Sequence, residues 1–124
     1  MSAMSSTTAK PRPLLRINQK AQLVPAEQFE QWYGLAIQTP GLTKDELTVL
    51  SAVVGYYRLL AHRGYALFPS FEEMAQSSGA RPIDISGAIK HLVELCLVAV
   101  RPGRGAWRNQ YLPALPKRVA ASLA

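Results

Sequence analysis

Four stretches of the chain repeat apolar residues at intervals of three and four, the spacing that places them on one face of an α-helix. Glycine, proline and small polar residues, which end helices, separate these stretches. After the fourth stretch the pattern changes to two short apolar runs around a glycine-rich turn, which predicts a β-hairpin. The chain is therefore expected to be mainly α with a small β-hairpin. The predicted helices cover residues 25–38, 43–63, 70–79 and 82–95.

Local signals mark the boundaries of the second and third predicted helices. Each begins with a Ser or Thr followed three residues later by Glu, the spacing of a capping box. These pairs are Thr43 with Glu46 and Ser70 with Glu73. Gly64 and Gly79 follow the last helical residues, where a left-handed glycine commonly ends a helix. Pro82 suits the first position of the fourth helix.

The first two predicted helices carry apolar surface that needs cover. The second is apolar nearly all round, with Val49 and Tyr56 off its main face, so it must be covered on more than one side. The first presents Phe29, Trp32 and Tyr33 on one face. Either the first helix or a second copy of the chain supplies the cover. We expect a homodimer, because these three aromatics give more area than a short helix needs as a lid.

The two ends of the chain are predicted to lie outside a domain that covers residues 25–112. Residues 1–13 are rich in Ser, Thr, Ala and Pro, and residues 14–24 are expected to be a basic, extended linker. Residues 1–24 together carry four cations and no acid, which predicts a disordered basic arm. The hairpin is predicted over 97–100 and 107–112. Residues 113–124 contain two prolines and an alanine-rich end, which predicts a C-terminal tail.

Charge is distributed unevenly along the chain, which has a formal net charge of +6 and a pI of about 9.8. The arm contributes +4, and residues 80–124 contribute +5 from seven cations and two acids. This segregation favours an anionic partner. Cys96 is the single cysteine, so neither an intramolecular disulfide nor a cysteine-based zinc cluster is possible. The sequence lacks a signal peptide and a membrane span, and a cytoplasmic, nucleoid-associated location is expected.

The order of elements after residue 67 is shared with a known family. Phe68-Pro69-Ser70 leads into a short helix, Gly79 falls at a tight turn, and residues 88–98 join a second helix to the first hairpin strand. Arg101 to Tyr111 then form a basic hairpin. This stretch resembles the winged helix-turn-helix family, in particular the MarR-like proteins and the helix-turn-helix modules of plasmid and phage proteins. The resemblance implies a winged helix-turn-helix with an extra N-terminal helix.

Three positions depart from the family pattern. Arg81-Pro82 stands where the family usually has a Ser or Thr cap on its recognition helix. The exposed face of that helix offers mainly Lys90, whereas relatives often carry several cations there. Cys96 stands where a glycine often ends the helix.

The resemblance implies that the fourth helix enters the major groove of double-stranded DNA and that the hairpin, or wing, contacts the backbone or the minor groove. Gly87 on that helix either permits close approach to DNA or is only a weak point in the helix. The expected DNA-contacting residues are Arg81, Ser86, Gly87, Lys90 and His91 of the helix and Arg101, Arg104 and Arg108 of the wing.

The function expected on this basis is sequence-specific binding of double-stranded DNA, by a transcriptional regulator or an accessory factor of a mobile element. The alternative is a winged helix that docks proteins within a larger assembly without sequence-specific DNA binding. No enzyme activity, metal, cofactor or small-molecule substrate is expected: His62 and His91 have no carboxylate or thiolate at ligand spacing, and Glu72-Glu73 belongs to a helix cap.

Overall fold

The computed structural model of the chain describes residues 14–103 and 108–123. In this part of the chain helices predominate, and three short strands form one antiparallel sheet. The elements are β1 (Ala21–Leu23), a 3-10 turn (Ala26–Gln28), α1 (Phe29–Ala36), α2 (Lys44–Arg63), α3 (Phe71–Ser78), α4 (Pro82–Glu94), β2 (Val98–Arg101), β3 (Gln110–Pro116), α5 (Lys117–Ala120) and a second 3-10 turn (Ala121–Leu123).

The capping signals define the helix boundaries as predicted. In α2, the Glu46 amide donates to Thr43 Oγ1 over 3.1 Å, and the Thr43 amide donates back to Glu46 Oε1 over 2.9 Å. The same pair of bonds starts α3. Gly64 and Gly79 cap the two helices with φ of 82° and 72°, a conformation that side chains disfavour.

Trp32 of α1 lies in the core of a single chain. Its side chain is fully buried, and Nε1–H donates to the carbonyls of Leu97 (2.8 Å) and Ala114 (3.0 Å). These two hydrogen bonds attach α1 to the sheet. Helix α1 also packs on α2, where the Phe29 ring stacks on Tyr57. A buried indole N–H needs an acceptor, and two main-chain carbonyls supply it.

The surface assigned to a dimer interface is therefore used within one chain. Besides Trp32, Val49 is fully buried, and the Tyr56 ring stacks on Phe68 with centroids 3.5 Å apart. Tyr33 is half-buried against the same core. The aromatic area that suggested a homodimer is the area that α1 needs to cover both α2 and the sheet. The homodimer stays a prediction, and the aromatic area of α1 does not support it.

The sheet has the order β1-β3-β2, so β3 is central and the predicted two-stranded hairpin gains a third strand. The return strand covers Gln110–Pro116, whereas 107–112 was predicted. It continues past residue 112 because Pro113 does not stop it. The Pro113 carbonyl accepts the Val24 amide over 2.9 Å, and the nitrogen of a strand residue points to the same side as its carbonyl. The Pro113 nitrogen therefore faces the β1 side, where the β1–β3 pairing ends at Leu23 with Ala114. Because no β1 residue lies opposite Pro113, its missing N–H leaves no β1 carbonyl without a partner.

The second half of the predicted disordered arm is ordered. Residues 21–23 form β1, and residues 14–20, which we call the strap, lead into it from the far edge of the sheet. There the Arg16 amide donates to the Val100 carbonyl (2.8 Å) and the Val100 amide donates to the Arg16 carbonyl (2.9 Å). β1 thus covers the β3 edge of the hairpin and the strap covers part of the β2 edge, both of which would otherwise expose unpaired main-chain groups. Residues 1–13 of the predicted arm lie outside the described residues.

The C-terminal residues are also part of the fold rather than a tail. β3 continues to Pro116, and α5 follows directly. The Lys117 amide donates to the Lys20 carbonyl over 2.9 Å, and Ala120 is buried. The sequence prediction placed the domain end at residue 112 because two prolines follow, but both are accommodated within β3.

Candidate nucleic-acid interface

The fourth predicted helix, α4, is oriented by its buried stripe. Ile85 and Leu92 are fully buried, so Gly87 and Lys90 on the opposite side are exposed and Ser86 is half-exposed. At the Arg81–Pro82 start no side chain at the cap position accepts an N–H of the helix, so only the reciprocal half of a capping box is present. The Asp84 carboxylate accepts the Arg81 amide over 3.0 Å.

Arg81 is engaged within the chain. Its guanidinium forms two bonds of 3.1 and 3.2 Å to the Asp84 carboxylate. These side-chain bonds, followed by the bond from the Arg81 amide, lower the pKa of Asp84 below its usual value, so the carboxylate stays charged at neutral pH. Arg81 is exposed at the start of α4, but its charge is balanced by a neighbour on the same helix turn.

The C-terminal end of α4 turns directly into the hairpin. Cys96 has φ of +66°, and the Leu97 amide reaches back to the Leu92 carbonyl over 3.0 Å, as in a Schellman motif. Cys96 therefore adopts the left-handed conformation that glycine commonly has at the end of a helix. In addition, Asn18 of the strap donates from Nδ2 to the Glu94 carbonyl over 3.0 Å, which satisfies a free acceptor at the helix end.

A cleft of about 540 Å³ lies between the outer face of α4 and the hairpin, closed on one side by the strap. It brings together two of the predicted DNA-contacting residues, Ser86 and Lys90, with two residues that were not predicted, Arg16 and Asn109. Two cations face it against one acid, Glu94. The residues that line it are Arg16, Phe71, Ser86, Ile89, Lys90, Val93, Glu94, Val100 and Asn109.

Arg16 and Asn109 were missed for different reasons. Arg16 reaches the cleft because its main chain pairs with Val100, a contact over 84 residues that no local pattern reveals. Asn109 lies on the hairpin return, where its Oδ1 accepts the Gly103 amide over 2.9 Å and shapes the loop. The alternation of apolar Leu15 and Ile17 around Arg16 was the available signal for an extended strap.

The hairpin arginines have different environments. Arg101 is exposed and donates to Gln110 Oε1 over 3.3 Å. Arg108 donates from Nη1 to the Phe68 carbonyl and to Glu73 Oε1, both over 2.7 Å, so it connects the hairpin to the start of α3. Arg104, the predicted wing tip, lies outside the described residues.

His91 has a carboxylate partner that the sequence did not predict. Its Nδ1 contacts Oε2 of Glu46, which is almost fully buried and whose other oxygen caps α2. The sequence gives His91 no carboxylate at ligand spacing, and Glu46 reaches it only because the fold brings together residues 45 positions apart. Packing within the chain does not require a glycine at position 87, because a methyl group on Gly87 would meet no atom within 4 Å. Both interpretations of Gly87 stay open.

Within the described part of the chain, no helix combines the length and the apolar composition that crossing a bilayer requires. In comparisons with known proteins, no family model matches the sequence, and neither a curated protein nor a solved structure matches the chain.

Proposed function

We propose that the protein binds double-stranded DNA sequence-specifically as a winged helix, with α3 and α4 as the helix-turn-helix and the β2–β3 hairpin as the wing. The observation that supports this most is the cleft, in which exposed polar residues of α4 stand beside cationic and amide side chains of the strap and hairpin. A helix about 10–12 Å across fits a major groove about 12 Å wide. The role proposed for each residue follows from its position in or beside the cleft.

The base-reading residues would be Ser86 and Lys90, which lie one turn apart on α4 and share the cleft. A lysine ammonium donates to the O6 and N7 acceptors of guanine, and a serine hydroxyl pairs with several base edges. Arg16 and Arg101 are exposed and, in the described residues, contact no carboxylate. They are suited to contact phosphates, which position the protein without reading sequence.

Salt dependence tests this assignment. Each phosphate neutralised by a cation contributes about 0.9 to the slope of log affinity against log salt. Replacing Arg16 and Arg101 by Gln should therefore flatten the slope by up to about two units on a labelled duplex, measured by fluorescence anisotropy. The matched control replaces Gln31 and Gln38 by Glu, which lowers the net charge by the same amount on or beside α1.

The control separates local contact from overall charge. Gln31 and Gln38 are exposed, and α1 packs against α2 and β3 rather than α4. The control variant should keep the wild-type slope to within a few tenths of a unit. Equal losses in the two variants would show that affinity follows net charge alone, and a wild type that binds no duplex at low salt would refute DNA binding.

The alternative, a protein-docking module, is favoured by one specific observation. Three of the expected DNA-contacting residues have a carboxylate partner within the chain, which leaves fewer cations free for phosphate. These contacts are Arg81 with Asp84, His91 with Glu46 and Arg108 with Glu73. The same anisotropy experiment distinguishes the two functions, since a docking module would show no duplex binding that depends on Arg16 and Arg101.

A further inference from the structure

The two ends of the described chain converge on a second cationic surface behind the end of α4. Main-chain pairing of Ala21 with Pro116, and the bond from the Lys117 amide to the Lys20 carbonyl, hold strap and α5 side by side. The convergence surrounds a cavity of about 550 Å³. Its lining residues are Gln19, Lys20, Cys96, Pro116, Lys117 and Arg118.

We call Lys20, Lys117 and Arg118 the tail patch. All three are exposed, no acid lines the cavity with them, and in the described residues none forms an ion pair. Three like charges on one small surface repel one another, and a bound polyanion relieves that repulsion. Lys20 is about a hundred residues away from Lys117 and Arg118 in the sequence, and the fold brings the three cations together.

The tail patch lies close to the cleft along the chain. Arg16 lines the cleft and Lys20 lines the cavity of the patch. Four residues of chain span at most about 14 Å, and the turn at residues 19–20 shortens this distance. Between them Asn18 is fixed to the Glu94 carbonyl at the end of α4. On each DNA strand one phosphate occurs about every 3.4 Å of helix axis, so a duplex bound at the cleft has flanking phosphates within this reach.

We propose that the tail patch binds the sugar-phosphate backbone of the duplex beside the segment that α4 reads. This inference rests on the proposed DNA binding and adds to it a second contact surface, formed by the strap and α5. Contacts of this kind position the protein and increase affinity for all sequences, so the patch should affect specific and random duplexes equally.

The test compares salt slopes on a random-sequence duplex of about two helical turns. Lys117→Gln with Arg118→Gln should flatten the slope by up to about two units, and adding Lys20→Gln should remove up to about one more. The control with Glu at residues 31 and 38 has the same net charge as the double variant and should keep the wild-type slope. Circular dichroism melting verifies that each variant is folded.

A charge-preserving variant separates charge from packing. Lys117→Arg with Arg118→Lys keeps both charges and should keep the wild-type slope. A loss in this variant equal to that of the Gln variant, or an unchanged slope in the Gln variant, would overturn the inference while leaving DNA binding through the cleft intact. A wild type that binds no duplex would instead overturn the proposed function and this inference together.

Discussion

The burial of Trp32 gives a sharp prediction about which contacts hold the domain together. Truncating a fully buried aromatic to alanine costs about 3–5 kcal/mol, and here two main-chain carbonyls also lose their indole donor. Trp32→Phe keeps most of the ring and removes the donor, which should cost about 1–3 kcal/mol. Since small domains have about 5–15 kcal/mol of stability in total, Trp32→Ala should remove a large share of it.

Urea denaturation followed by circular dichroism measures these costs. With a slope of about 1–3 kcal/mol per molar urea, Trp32→Phe should lower the midpoint by about 1 M. The control is Tyr33→Phe, which removes an exposed hydroxyl bonded to Ser51 over 3.2 Å and should change stability by less than about 0.5 kcal/mol. A Trp32→Ala protein that stays folded and instead changes from dimer to monomer would refute the placement of Trp32 in the core.

Four further outcomes follow from individual contacts. Ser86→Ala or Lys90→Gln should cost about 1–3 kcal/mol on a selected DNA site and much less on random duplex in competition anisotropy; equal losses would assign specificity to DNA shape. Arg108→Ala should lower the melting temperature as well as the salt slope, because its guanidinium joins the hairpin to α3, and an unchanged melting temperature would contradict this role. Hydrogen bonds from Ser70, and then from Arg108, lower the pKa of Glu73 below its usual 4.5. The stability that the Glu73 carboxylate contributes is therefore complete above about pH 4.5 and is lost as the pH falls through the lowered pKa. Urea titrations from about pH 6 to about pH 3 should show a smaller loss of stability in acid for Glu73→Gln than for the wild type. Cys96→Gly should be about 1 kcal/mol more stable than Cys96→Ala in urea, because only glycine relieves the positive φ, and the reverse order would contradict that strain.

Local signals were enough to place the helices. A capping box and a terminal glycine concern residues within a few positions of one another, so Thr43 with Glu46 and then Gly64 define α2 before any packing is known. The α4 start could be placed from Pro82, although it lacks a hydroxyl cap and has only the bond from the Arg81 amide to Asp84. The mainly helical class and the hairpin could also be predicted, because the patterns that indicate them lie within short stretches of the sequence.

Long-range pairing was what the sequence did not reveal. β1 has only three residues, and its pairing with β3 joins positions about ninety residues apart. The aromatic face of α1 showed that cover was needed but not which surface supplied it. Within the site, Ser86 and Lys90 could be chosen because helical spacing places them outside, whereas Arg16 reaches the cleft only through its pairing with Val100.

Duplex DNA is proposed to contact the surface around the cleft between α4 and the hairpin, and an NMR titration of the isotope-labelled wild type with duplex DNA tests this most directly. Amide signals of Ser86, Lys90 and Asn109 should shift on addition of DNA, while those of Gln31 and its neighbours in α1 should stay in place. Shifts confined to α1, or to the groove between α2 and α3 around Thr48, would contradict it, as would a spectrum that DNA leaves unchanged at low salt.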